Sequence, residues 1–164
     1  MVEKVGDFGL AMLLIAGIDA QSSIRSTNVL KGSIGYILLA YGLGGKPSTV
    51  GDVYSFGIML LEFFTGKNPT HDSIVEGLSL TKWVKPAFPT NMEQVLDPEP
   101  PSDIENLCRD DQSISSEIRR DYLKIIVDVA LSCTFDSLNE HINLRGAYHK
   151  LKCVKEVLLK PNVT

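Results

Sequence analysis

The chain has 164 residues, a net charge of −4 and a pI near 5.3. Hydrophobic residues make up 44% and charged residues 22%, a globular balance that suits one domain with a buried core. An acidic chain of this kind is a poor general binder of nucleic acid or of an anionic membrane surface.

The first 50 residues are rich in Gly, Ser and Thr with short apolar pieces. They read as a strand end followed by a long functional loop. The apolar run from Phe8 to Ile18 follows a start with net negative charge, whereas a secretory leader needs a positive one. A second apolar run, Phe56 to Phe64, is short and interrupted by Glu62, so neither spans a bilayer.

Helical spacing comes next. Val53, Phe56, Gly57, Leu60, Leu61 and Phe64 recur at helical intervals. Thr49 is placed to cap this helix, Asp52 lies in its first turn, and Gly66 follows its end. Its polar face is thin, only Asp52, Tyr54, Ser55 and Glu62, which predicts a largely buried helix at the centre of the domain. A shorter helix is expected over Leu80 to Ala87 around Trp83, a core or helix-edge anchor, and the Pro-rich loop from Pro86 to Ser102 interrupts it. A helix from Ser116 to Thr134 presents Ile118, Tyr122, Ile125, Ile126 and Val129. A last one, from Leu144 to Lys160, presents Leu144, Ala147, Leu151, Val154 and Leu158, with Asn143 as N-cap. The result is a mainly α domain, helices around a central buried helix, entered by a long N-terminal loop.

Cys108, Cys133 and Cys153 are odd in number and form no Cys-x-x-Cys, which argues against a disulfide framework and for reduced thiols. His149 and Cys153 share a helix face without a third metal ligand. His71-Asp72-Ser73 are consecutive, and consecutive residues cannot form a hydrolytic triad. The acidic stretch with Asp103, Glu105, Asp110 and Asp111 reads as a solvated loop.

Five segments in order carry a resemblance. They are Val5-Gly6-Asp7-Phe8-Gly9-Leu10-Ala11, Gly32-Ser33-Ile34-Gly35-Tyr36-Ile37, Gly51-Asp52-Val53-Tyr54-Ser55-Phe56-Gly57, Leu60-Leu61-Glu62 with Thr65-Gly66-Lys67, and Leu78-Ser79-Leu80-Thr81-Lys82-Trp83-Val84. Together they resemble the C-terminal part of the kinase domain of plant leucine-rich-repeat receptor-like Ser/Thr kinases. The resemblance implies a truncated protein-kinase-like C-lobe over residues 1–160, with a tail at 161–164. Residues 10–40 would form its activation-type loop. It implies a family that uses ATP and Mg²⁺, acts on a protein substrate or partner kinase, and works on the cytoplasmic side of plasma-membrane receptors.

Residue by residue, the resemblance gives Asp7, Phe8 and Gly9 as the nucleotide-binding loop, with Asp7 as the Mg²⁺ ligand; a carboxylate is the hard oxygen donor that a metal on polyphosphate needs. Ser22, Ser23, Ser26 and Thr27 become candidate phosphosites, where a phosphate can order a loop by pairing with Arg. Ser33, Gly35 and Tyr36 would shape the surface that receives the substrate peptide. In the family Asp52 accepts hydrogen bonds from the backbone of the catalytic loop; without that loop, a first-turn helix role is expected here.

Phosphoryl transfer is positioning and charge stabilisation by several parts at once. The sequence holds no Gly-rich phosphate cover, no His-Arg-Asp and no Asn for a second metal, and no strand lysine paired with a helix glutamate is identifiable. Met1 would fall inside the strand that leads into the metal loop. Where the family pattern ends in Pro-Glu after the Gly-Tyr pair, this chain has Leu38-Leu39-Ala40, and where the glutamate's arginine partner stands it has His141. By this resemblance Ala40 and His141 mark a lost ion pair, with Arg145 the arginine partner only under a shifted alignment. Loss of both partners avoids the uncompensated buried charge that loss of one would leave. A kinase-derived fragment without activity of its own, or a pseudokinase-like interaction module, is therefore expected.

Overall fold

A computed structural model describes residues 32–38, 48–72, 74, 79–98, 116–135 and 142–158. Asp7, Phe8, Gly9, the four candidate phosphosites, Ala40 and His141 lie outside the described residues. Four α-helices make up the described architecture, and no strand occurs among the described residues. They are α1 (Thr49–Thr65), α2 (Leu80–Val84), α3 (Ser116–Cys133) and α4 (Leu144–Leu158). Short 3₁₀ turns cover Lys85–Ala87 and Met92–Gln94.

Helix α1 is the axis of the fold. Gly51, Val53, Gly57, Ile58, Leu61 and Thr65 are buried along it, and it packs against both α2 and α3. Ser48, not Thr49, stands at its N-cap, and no side-chain cap bond closes the start. Thr49 has already turned into the helix, so its hydroxyl is one residue too late to cap. Asp52 sits exposed in the first turn, where negative charge suits the helix dipole. Gly66 ends the helix in the left-handed conformation (φ 65°), its N–H donating to the Glu62 carbonyl at 2.9 Å. The Thr65 hydroxyl donates back to the Leu61 carbonyl at 2.7 Å, which satisfies a buried polar group. The backbone N–H of Asp97 then donates to the Phe64 carbonyl at 2.9 Å, tying the far end of the Pro-rich loop to the last turn.

Two apolar clusters flank α1. The larger joins Ile58, Leu61, Ile74, Leu80, Val84, Ala87, Met92, Val95, Val127 and Ala130. The smaller joins Val53, Val129, Cys133 and Ala147, with Phe56, Leu60, Ile142 and Leu151 packed against it. Between them α1 crosses α3 closely at Gly57. A methyl added there would lie 2.7 Å from both Cys133 Cβ and Thr134 Cγ2 and 2.8 Å from the Ala130 carbonyl. The helix at Trp83 forms as expected, in two pieces: Ser79 caps α2 by accepting from Lys82 N–H, and Pro86 tightens the continuation into a 3₁₀ turn. Trp83 is half-buried against the larger cluster, with Lys67 Nζ 5.7 Å from its ring centre.

Two inward-facing expectations fail. Ile125 is exposed, because α3 turns Val127, Val129, Ala130 and Cys133 inward to serve both clusters. Leu144 is exposed as well; Ile142, just before the helix, takes the apolar slot beside Ala147. Asn143 does cap α4, its Oδ1 accepting from Gly146 N–H at 2.8 Å. Lys150 reaches from α4 to Asp128 on α3 at 2.8 Å, an exposed pair worth little by itself.

Candidate functional site: a loop held on the central helix

The segment 32–38 lies on α1, and its hold is specific. The Tyr36 N–H donates to the Ser33 carbonyl at 3.1 Å, closing a tight turn over Ile34 and Gly35. Gly35 has φ +91°, and a Cβ there would meet Pro69 Cβ at 2.5 Å. Only glycine meets both demands, a left-handed backbone and a close approach to Pro69. The Tyr36 carbonyl lies 2.7 Å from Ser55 Oγ, which also lies 2.9 Å from the Gly51 carbonyl. The Ser55 proton thus bridges the loop and the first turns of α1. Beyond the ring, the Tyr36 hydroxyl donates to Glu62 Oε2, two turns further along the same helix. Tyr36 therefore touches α1 at both its backbone and its side-chain tip, while its ring packs on the larger apolar cluster. Leu38 is buried just after it.

The electrostatics fix the state of this contact. Burial, then the hydrogen bond to Glu62 and the negative charge of that carboxylate, push the Tyr36 hydroxyl up to about 12 from an ordinary 10.0. At neutral pH Tyr36 is a neutral donor and Glu62 its acceptor. The arrangement is a clamp rather than an acid–base pair.

The structure thus brings Ser33, Gly35 and Tyr36 together in one turn, with Ser33 and Ile34 facing solvent. Asp52 lies on α1 one turn before Ser55 and faces solvent. Sequence reading placed Ser55 and Glu62 only on the thin polar face of α1. The signal for their role was there: polar groups on an otherwise apolar central helix need partners.

Among the described residues no group of three or more His, Cys, Asp or Glu could hold a metal ion. His149 and Cys153 are both exposed on α4. Asp7, the Mg²⁺ ligand that the resemblance implies, lies outside the described residues. A cleft of about 400 Å³ opens elsewhere, floored by Met92, Leu96 and Leu123 and rimmed by the Arg120–Glu93 ion pair. It shares no lining residue with the Tyr36 clamp. No described helix is long and apolar enough to cross a membrane.

A helical body around one central helix, with a Gly-Tyr turn clamped onto it, is the C-lobe part of a protein-kinase domain. The pseudokinase domain of BIR2, an immune regulator of the RLK/Pelle family, matches with a TM-score of 0.58 and 25% identity, over 79% of this chain and 36% of that one. The homologues are plant leucine-rich-repeat receptor-like Ser/Thr kinases. A receptor-like protein kinase of Arabidopsis thaliana is 35% identical over the whole of this chain, and the receptor kinase-like protein Xa21 of rice is 34% identical over 82% of it. The chain spans only 15% and 13% of those two relatives. No family model matches.

Proposed function

We propose that this chain, over residues 1–160, is the C-lobe part of a receptor-like Ser/Thr kinase domain that keeps the peptide-receiving turn and does not transfer phosphate by itself. The observation that carries the reading is the double hold of Tyr36 on α1, through Ser55 and Glu62, in a sequence without a His-Arg-Asp base. Ser33, Gly35 and Tyr36 form the receiving surface for a protein substrate. In the parent family Asp7 with Phe8 and Gly9 serves Mg²⁺ and ATP, and Ser22, Ser23, Ser26 and Thr27 are the loop positions open to phosphorylation. One carboxylate is a poor Mg²⁺ site, because Mg²⁺ gives up its waters reluctantly. Its place is the cytoplasmic side of a plasma-membrane receptor system.

The likeness to a pseudokinase domain favours a second reading, a non-catalytic module that binds a kinase or its substrates. Calorimetric titration of the purified chain with ATP and Mg²⁺ tests the first reading. It predicts no binding heat at millimolar nucleotide; saturable binding below that range would refute it.

A further inference from the structure

Helix α4 differs in charge from the rest of the chain. Arg145, Lys150, Lys152 and Lys155 stand in it against Glu156 alone, a net +3 in a chain of net −4, so the remaining residues sum to −7. Its inner face is already used: Ala147 and Val154 are buried, and Leu151 packs on the smaller cluster. About a quarter turn round the helix runs a second line, Leu144, Tyr148, Lys152 and Lys155, at i, i+4, i+8 and i+11. Arg145 flanks it, and all five are exposed. Leu144 and Tyr148 keep 57% and 59% of their surface accessible, so two large apolar side chains one turn apart stand in water among cations. The Tyr148 ring lies edge-on to His149, with centroids 5.7 Å apart, which presets it at the surface.

The neighbouring charges leave this line positive. Lys150 is engaged with Asp128 on α3. Lys152 pairs with Glu156 at 3.6 Å, an exposed pair that holds little. Arg145, Lys152 and Lys155 against Glu156 keep a net +2. A convex stripe of cations with tyrosine and leucine between them suits a surface rather than a pocket: tyrosine favours the level of lipid headgroups, and lysine lays its stem on apolar ground with the charge outward. We propose that the Leu144–Tyr148–Lys152–Lys155 line of α4, with Arg145, rests on anionic phospholipid headgroups. Charge complementarity selects this occupant. Each cation near an anionic leaflet strengthens binding about fivefold, while the negative remainder of the chain is repelled, so the chain meets the bilayer with α4 foremost. The choice of lipid over an acidic protein rests on the reading of the chain as part of a receptor-like kinase at the cytoplasmic side of the plasma membrane.

The test is co-sedimentation of the full chain with vesicles of phosphatidylcholine alone and of phosphatidylcholine and phosphatidylserine in equal parts. Binding is expected to the anionic vesicles only, and to fall as salt is raised. Lys152→Gln combined with Lys155→Gln lowers it about twentyfold. Tyr148→Ser lowers it severalfold without changing charge, which a purely diffuse attraction would not show. Arg120→Gln combined with Lys124→Gln, the same charge change on exposed positions of α3, leaves it within about twofold. Circular dichroism checks each variant; if the double α4 variant does not fold, Lys155→Gln alone carries the test with a loss of about fivefold. Absence of binding to the anionic vesicles, equal binding to neutral ones, or equal loss with the α3 variant overturns the proposal. So does retention of the chain on calmodulin without vesicle binding, which assigns the stripe to an acidic protein. Phosphate transfer by the chain refutes the function reading without touching this surface, and failure of vesicle binding does the reverse.

Discussion

Tyr36 donates its phenolic hydrogen to Glu62, so a loop residue is bonded to the central helix across 26 positions of sequence. Burial and this bond hold Tyr36 in its neutral form, and the bond fixes where the turn at Gly35 sits. Tyr36→Phe removes the donor and leaves a half-buried carboxylate short of a partner, at a cost of about 1–3 kcal/mol. Urea denaturation of the two proteins measures it; equal midpoints would show that the bond holds nothing.

The same pair makes an alkaline limit. The fold favours protonated Tyr36, raising it from 10.0 to about 12. Its contribution to stability is therefore fully present below pH 10 and is lost as pH rises through 12. The stability difference between the wild type and Tyr36→Phe is predicted to shrink across that window. A difference that stays constant from pH 9 to 12 would contradict it.

Gly35→Ala places a Cβ against Pro69 in a backbone region that alanine avoids. The turn is predicted to leave α1 while the helices stay folded. Spectrophotometric titration of the five tyrosines reads this directly: the late-titrating hydroxyl moves back toward the ordinary range, with far-UV dichroism unchanged. If that hydroxyl keeps its high value, the turn does not depend on glycine.

Gly57→Ala tests the crossing of α1 and α3. The added methyl has no room between Cys133, Thr134 and the Ala130 carbonyl. Overpacking of this kind costs about 1–3 kcal/mol. Because Cys133 is fully buried and its thiol is pushed up to about 11 by that burial, its alkylation at pH 8 reports the separation. Peptide mapping is predicted to show Cys133 inert in the wild type, with exposed Cys153 reacting freely, and Cys133 labelled faster in Gly57→Ala.

Local features of the fold were legible in the sequence. Asn143 as a cap, Gly66 as a stop and the short helix at Trp83 depend on neighbours within one turn, and all three stand as read. Facing was harder. Leu144 and Ile125 fit the helical period but point outward, because the outcome depends on which of two clusters each helix serves and on Ile142 filling a slot first. At the site, the glycine and tyrosine of the turn were readable as a pair of residues. Their partners Ser55, Glu62 and Pro69 were not, since such pairing is fixed by tertiary approach and not by spacing. The exposure of Met59 and Phe63 was not legible for the same reason: a uniformly apolar helix does not say which of its sides is turned outward.

Transfer of labelled phosphate from [γ-³²P]ATP, with Mg²⁺, to a generic protein substrate by the purified chain tests the central claim most directly. The account predicts incorporation no greater than in a reaction without the chain, for a protein whose Tyr36–Glu62 clamp is intact by titration. Incorporation that rises with time and with the amount of folded chain would contradict it.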